Sequence, residues 1–439
     1  MSLFQALPGK RMHPLALIVS FLLLLMTHFA GAQTALLIKA GKMYDAENKR
    51  FLTHQEILVK GNTIVQVGKK IRVPKGTKIL DLPHATVTPG LMDMHTHLLV
   101  HQRQKEGLEI CSKVPTEKRL QQAFEFARDY LLVGITTVRD LGNSGQYLDV
   151  RLQDSLKKVQ VPAPRLFVSG PIISPPGGQF NHLSPSDTFL IRQEYYAIRG
   201  VVEASAAVQK LVNRGVNVIK VCMNTDNGTL SSEEIQAIVK TAHQKGIPVT
   251  AHTTYDASAR KAVLAGVDGI EHGYVISDTT LQLMAQRGTY LVPTDVSRQM
   301  ALILVAGQGM KEAEGKAYAD EFLNSTHDRL VRAVKKGVMI VSGADYFNDL
   351  ANISRGNGSK DVLVAYQEAG IPVTDVLGFA TRNAAKALGL SNSLGTLKKG
   401  MKADIAVFEG DLEKEFAKTL FAVQWVIKDG ILYNPKEQP

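Results

Sequence analysis

The chain has 439 residues, of which 45% are hydrophobic and 21% charged. That is ordinary globular composition with apolar material for a large core, which excludes a disordered or fibrous chain. The formal net charge of +10 is dispersed, with no lysine- and arginine-dense tract interleaved with aromatics, so nucleic-acid binding has no support.

Residues 1–32 read as separate from the fold. Lys10 and Arg11 form a basic head, Leu15 to Met26 is an almost unbroken apolar run, and Ala30-Gly31-Ala32 supplies the small residues of a cleavage site. A run of about a dozen apolar residues is short for a membrane span. The segment is therefore expected to be a cleaved signal peptide, the alternative being a retained anchor. The mature protein is expected to be periplasmic or secreted, without a stable membrane span; removing Lys10 and Arg11 leaves a charge of +8.

Residues 33–88 read as short strands, Ala35–Ile38, Glu56–Val59 and Thr63–Val67, separated by the turn signals Lys60-Gly61-Asn62 and Pro74-Lys75-Gly76. Residues 391–439 behave alike, with Ala403–Phe408 and Val423–Ile427. The two ends are expected to pair into a small β-sandwich. Between them, residues 89–390 are expected to form an α/β domain. Its strand-like runs are Thr86–Thr88, at its border, then Ile135–Val138, Arg165–Val168, Val216–Ile219, Ile247–Thr250, Val267–Ile270, Thr289–Val292 and Val338–Val341. Helical patterns at 117–132, 202–213, 232–244 and 326–335 separate most of them, and Thr374 is expected to cap a last helix through Leu388. Eight alternating units are what a (β/α)8 TIM-like barrel requires. The long connections 174–199 and 296–323 follow strands three and seven, on the rim where barrels carry their chemistry. Cys111 and Cys222 are too few for a disulfide framework and lack the paired spacing of a thiolate metal site.

Of twelve histidines, four fall at expected strand ends. His95 and His97 stand at i, i+2 in Met92-Asp93-Met94-His95-Thr96-His97, a spacing that puts both imidazoles on one face of an extended chain. His252 ends strand five, His272 ends strand six, and Asp345 ends strand eight in Ser342-Gly343-Ala344-Asp345. Imidazoles with a carboxylate suit zinc, with iron, manganese or cobalt as alternatives. Lys220 lies in the apolar run Val218-Ile219-Lys220-Val221-Cys222, where an ammonium is costly unless paired or neutralised. Two readings stand: a lysine whose tip reaches water at the rim, or a lysine carbamylated by carbon dioxide and so turned into an anion.

Together these motifs resemble the metal-dependent amidohydrolase superfamily, in particular its prolidase-like and imidazolonepropionase-like branch. The resemblance rests on Pro89-Gly90-Leu91-Met92-Asp93-Met94-His95-Thr96-His97, Thr136-Thr137-Val138-Arg139-Asp140, Ile219-Lys220-Val221, Ala251-His252, Ile270-Glu271-His272-Gly273 and Ser342-Gly343-Ala344-Asp345, with Thr381-Arg382-Asn383-Ala384-Ala385 and Leu394–Gly400 beyond them. It implies two divalent metal ions, zinc foremost, held by His95, His97 and Asp345 on one side and His252 and His272 on the other. N6-carboxylysine at Lys220 and a hydroxide would bridge them. Asp345 would then move the proton from the attacking hydroxide to the leaving amine.

The pattern departs from the branch where specificity should reside. The Gly-Gly-His of prolidase-like members reads Gly177-Gly178-Gln179 here, with His182 close by, and the tyrosine common after the strand-five histidine is displaced to Tyr255. Gln179, His182, Tyr255 and Arg139 are the expected substrate contacts. The function read from the sequence is an exported binuclear hydrolase of amide or peptide bonds in dipeptides or N-acyl amino acids. The alternative is hydrolysis of another C–N or C–O bond, in a cyclic amide, an imidazolone or a lactone, or deamination. A non-catalytic binding protein on a decayed barrel is opposed by the completeness of the six ligands, and a homo-oligomeric assembly is left open.

Overall fold

The computed structural model describes residues 35–103, 106, 110–159, 161–179, 189–225 and 228–436. The expected signal peptide and His182 lie outside them.

Both chain ends pair into one seven-stranded sheet, in the order Ile431–Tyr433, Val423–Lys428, Ile405–Glu409, Lys78–Pro89, Leu36–Asp45, Arg50–Lys60 and Thr63–Gly68. Lys78–Pro89 joins the halves, parallel to Leu36–Asp45 and antiparallel to Ile405–Glu409. The ladder is one continuous sheet rather than two. Its far edge turns back onto the C-terminal half, where Ile64 N–H donates to Met401 O at 2.8 Å and Ala403 N–H to Asn62 O at 2.8 Å. Ile38, Ile57, Ile64, Val87, Met401 and Val407 fill the space enclosed.

Thr86–Thr88, expected as barrel strand one, belong to this sheet; barrel strand one is Leu91–Thr96. Burial on both faces makes the two runs look alike in sequence. Only Gly90 separates them, and a Cβ there would lie 2.1 Å from Thr136 Oγ1, so no larger residue fits the junction.

The middle of the chain is a TIM-like (β/α)8 barrel whose ladder runs in two arcs. Leu91–Thr96, Ile135–Asp140 and Arg165–Val168 form the first, all parallel. Ile219–Cys222, Val249–Thr253, Gly269–His272 and Tyr290–Val292 form the core of the second, extended by Ile172–Ser174 and Tyr195–Ala197. A few backbone bonds join the arcs, among them Asn217 N–H to Val168 O at 2.8 Å, Leu291 N–H to Met339 O at 3.0 Å, Val341 N–H to Leu291 O at 2.9 Å and Met94 N–H to Ser342 O at 2.9 Å. Residues 338–341, expected as strand eight, thus make an isolated bridge between Ile340 and Leu291 instead of a regular ladder. Asn383 Nδ2 supplements it by donating to Ile340 O at 2.8 Å.

Helices Thr116–Leu132, Gly200–Asn213 and Ser232–His243 stand close to where their apolar periodicity puts them. The last begins with a reciprocal cap, Ser231 Oγ accepting from Glu234 N–H at 3.1 Å while Glu234 accepts from Ser231 N–H at 2.7 Å. Two expectations need correction. The connection 296–323 is mostly helical, comprising Arg298–Gly307 and the start of Glu312–Lys335. The run Met300–Val305 provides an apolar face, and Ser297 Oγ caps the first helix at Met300 N–H. The helix expected from Thr374 is capped at Pro372 without a side-chain bond and passes through a π-helical turn at Phe379–Asn383. Among the described residues no helix is long and apolar enough to cross a membrane.

Candidate active site

His95, His97, His252 and His272 lie at or just beyond the C-terminal ends of strands one, five and six, Lys220 lies within strand four, Asp345 follows residues 338–341, and the six groups converge. His97 Nε2 lies 3.1 Å from Asp345 Oδ1, and His95 Nε2 lies 3.5 Å from the same oxygen and 3.3 Å from Lys220 Nζ. His272 is 3.8 Å from Asp345 Oδ2, and its ring centroid is 4.6 Å from that of His252. All six expected ligands are therefore brought together. The ligand atoms of His95, His272 and Asp345 fall within 4.8 Å of one another, a grouping able to hold a metal ion.

The imidazoles are aimed by bonds on their other nitrogens. His95 Nδ1 lies 2.8 Å from Glu271 Oε2, His97 Nδ1 2.8 Å from Gly142 O, and His272 Nδ1 2.8 Å from Thr294 Oγ1. With Nδ1 committed, a ligand role falls to Nε2 in His95 and His97; in His272 the Nδ1 that Thr294 holds is also the nitrogen 3.8 Å from Asp345 Oδ2, so the Thr294 contact leaves Nε2 for a metal. Glu271 is fixed in turn by Arg139 Nη2 at 2.6 Å and by the Thr250 hydroxyl. Asp93 accepts from His95 N–H at 2.9 Å, Ala344 N–H at 3.1 Å and the Ser359 hydroxyl, which binds the end of strand one to the turn before Asp345. That turn needs Gly343, since a Cβ there would lie 2.9 Å from His95 N and 2.5 Å from Val292 Cγ1.

Burial sets the charge states. It drives His95 and His272 well below the usual histidine range and His252 down to about 3, helped at His95 and His252 by the Lys220 charge. Burial also lowers the Lys220 pKa against the pull of Glu271 and Asp345. For Asp345 burial is outweighed by His95, His97 and Lys220, which hold it down at about 2. His97 moves the other way: its contact with Asp345 outweighs burial and raises its pKa.

These residues fit a metal on grounds internal to the structure. Three of the four imidazoles are held neutral with lone pairs to give, and Asp345 is an anion whose buried Oδ1 accepts no well-aligned hydrogen bond. A proton on His97 occupies the place where a cation would satisfy the same carboxylate.

The expected substrate contacts divide. Gln179 lies at the site, its Nε2 3.5 Å from His252 Nε2 and its Oε1 accepting from Tyr195 OH at 3.1 Å. His182 is outside the described residues. Tyr255 is 61% exposed at the N-terminus of helix Asp256–Ala265. Arg139 lies buried inside the barrel, with Nε on Met94 O at 2.6 Å and Nη1 on Tyr290 OH at 2.7 Å besides its bond to Glu271. Its donors are used within the protein, so its place is structural. Four residues that sequence reasoning did not assign complete the site: Asp93, Glu271, Thr294 and Tyr274, whose ring lies 5.5 Å from that of His272. Asp93 and Glu271 each stand within two residues of a candidate ligand on a buried strand, which was the available signal.

Comparison with known proteins finds one family model and several relatives. The model of the Amidohydrolase family matches residues 86–432. An uncharacterized protein of Mycobacterium tuberculosis is 27% identical over 317 residues, covering 69% of this chain and 74% of its own. The imidazolonepropionase of Shewanella pealeana is 23% identical over 435 residues, covering 87% and 94%. Among solved structures, a Xaa-Pro dipeptidase with methionine bound in its active site is 27% identical with a TM-score of 0.78, covering 91% of this chain and all of its own.

Thr294 offers a test of the ring-orienting bonds. Losing a partner behind a metal-ligating histidine typically costs about 10–100-fold in metal affinity or activity. Thr294→Val is expected to weaken metal binding by that factor in a chelator competition, while Thr294→Ser, which keeps the hydroxyl, stays near wild type. Equal affinities in all three would show that packing alone orients His272.

Proposed function

The chain belongs to the amidohydrolase family, and from that premise we propose an exported hydrolase with two divalent metal ions, zinc foremost, that cleaves the amide or peptide bond of dipeptides or N-acyl amino acids. That it is a hydrolase acting on carbon–nitrogen bonds, in a metal-dependent family, follows from the family match and the relatives described above. The finer reading is carried by one observation, the convergence of His95, His97, Lys220, His252, His272 and Asp345 at the barrel's strand ends.

His95, His97 and Asp345 would hold one ion, His252 and His272 the other, with carboxylated Lys220 between them. When bound, such ions lower the pKa of water to near 7 and polarise the scissile carbonyl. Lys220 is suited to carboxylation because burial favours its neutral amine. The nitrogen lone pair bonds to the carbon of carbon dioxide, the amine loses a proton to solvent, and the carbamate carries the negative charge. Asp345, ionised and with its side chain 22% exposed at the edge of the cluster, is placed to accept a proton from the attacking water and deliver it to the leaving nitrogen. Gln179, beside His252, would offer the substrate a neutral donor and acceptor.

Hydrolysis of an imidazolone or another cyclic amide is the second reading, favoured by the similarity to an imidazolonepropionase. Export rests on residues 1–32, and the mature protein is expected to begin near Gln33 when its N-terminus is sequenced; a retained Leu15–Met26 run would mean an anchor instead.

The deciding experiment is hydrolysis of a dipeptide and N-acyl-amino-acid library, with cyclic imidazolones and lactones included, by metal-reconstituted enzyme. About two ions per chain are expected, with activity lost to chelators and restored by zinc, cobalt or manganese; full activity in metal-free protein would overturn the reading. Lys220→Ala should lose most activity and at least one ion, and a short carboxylate in the medium should restore part of both.

Gln179 makes a separate prediction. A neutral amide grips a free carboxylate less strongly than a charged imidazole. Capped amides should be hydrolysed within about tenfold of the free acids, a gap under about 1.4 kcal/mol, and Gln179→His should widen the gap. Rejection of capped substrates by several orders of magnitude would assign carboxylate recognition to another group.

A further inference from the structure

Asp345 forms part of the wall of a cavity of about 240 Å³ that the metal-ligand cluster does not use. The opposite walls come from the turn after strand seven and the two helices that replace the expected loop. Val296, Leu304, Val305 and Phe322 supply aliphatic and aromatic surface, and Tyr274 and Tyr318 add two further rings. Tyr274 packs edge-on to Phe322 with ring centroids 5.9 Å apart, and its hydroxyl lies 3.3 Å from Thr294 Oγ1. The polar tip of this tyrosine is thus turned toward the ligand cluster and its ring toward the cavity. Asp345 is the one charged residue among the described residues lining the space, and no cation is among them.

We propose that this cavity is the specificity pocket of the enzyme, and that it accepts an aromatic or branched aliphatic group attached beside the scissile amide. The inference rests on the amide-hydrolase reading of the adjoining site. The volume exceeds the roughly 150 Å³ that suffices for a benzene ring in an apolar protein cavity. Gln308 and the hydroxyls of Thr294, Tyr274 and Tyr318 give the space some polar lining, but no cation offers a free carboxylate an opposite charge, and Asp345 repels it. An anionic or very small substituent therefore gains little here, whereas a phenyl or isobutyl group exchanges water for contact with Val296, Leu304, Val305 and Phe322. Because the cavity borders Asp345 itself, a group seated in it places the neighbouring amide next to the ligand cluster.

Two measurements test this. The metal-free protein is titrated with N-acetylphenylalaninamide, N-acetylleucinamide and N-acetylglycinamide by calorimetry. The two bulky amides are expected to bind at least about tenfold more tightly than the glycine compound. Leu304→Asp, a half-buried position at which a charge need not disturb folding, should abolish that preference. Equal affinities in wild type would overturn the proposal, as would a preference that survives Leu304→Asp. The metal-loaded enzyme is then run on matched amides bearing phenyl, isobutyl or hydrogen on either side of the bond. A kcat/KM at least about tenfold higher for bulky members on one side is expected, with Leu304→Asp lowering kcat/KM for them more than for the small ones. Chelator-sensitive hydrolysis with no size preference would also overturn the pocket. No hydrolysis of any member would instead count against the amide-hydrolase reading, and the binding comparison would still decide the pocket.

Discussion

Glu271 is a fully buried carboxylate inside the barrel, and the arrangement around it depends on how that charge is compensated. One oxygen takes the Arg139 guanidinium at 2.6 Å and the Thr250 hydroxyl, and the other takes His95 Nδ1 at 2.8 Å. Desolvating two such ions costs several kcal/mol each, which their attraction repays only with good geometry and further hydrogen bonds. Those bonds are present: Arg139 also reaches Met94 O and Tyr290 OH, tying strands one, two, six and seven together across the barrel. A pair of this kind is weak evidence for stability. Its consequence here is geometric, because the carboxylate that neutralises the guanidinium also fixes which nitrogen His95 presents to Lys220 and Asp345.

The strand ends that carry the site are conformationally costly. His272, Thr294 and Asp345 all adopt left-handed backbone, with φ of 69°, 55° and 52°. Non-glycine residues in that region cost about 1–3 kcal/mol each and persist only where surroundings over-determine them. The restraints are visible. Arg329 Nη1 donates to His272 O at 3.2 Å, Asp345 N–H donates to His95 O at 2.8 Å, and Asp93 receives the Ala344 N–H. The chain thus turns at or beside residues that bear the functional groups, held at His272 by the helix Glu312–Lys335 and at Asp345 by strand one.

What the sequence made legible follows from where its signals are local. Histidines at strand ends, an i, i+2 pair and a lysine in an apolar run are patterns of a few residues, and the six groups they mark do converge. Thr86–Thr88 cannot be told from barrel strand one by sequence because that run and Leu91–Thr96 are both buried throughout and differ only in their partners. Arg139, expected as a substrate contact, carries no local sign of its buried place inside the barrel. Its actual partner, Glu271, is 132 positions away and nothing in either segment names the other. Tyr255 directly precedes a helix and is largely exposed, while Tyr274, beyond the next strand, packs beside the ligand cluster without any local motif that marks it.

The two sides of the site are built differently, and that difference bears on selection. On the His252 side, Gln179 is held by a tyrosine hydroxyl on a connection that includes the glycines Gly177 and Gly178, both at positive φ. On the Asp345 side, helices Arg298–Gly307 and Glu312–Lys335 pack on one another around a small core of Ala301, Val305, Ala319 and Leu323. Gly315 permits the close approach, since a Cβ there would lie 2.5 Å from Val305 Cγ1. A wall with its own core does not have to be ordered when ligand arrives, so apolar contact made there is not spent on fixing side chains. A polar contact from a less enclosed segment keeps that cost. Discrimination by the apolar wall should therefore rest on shape and size, and discrimination by Gln179 on hydrogen bonds that compete with water.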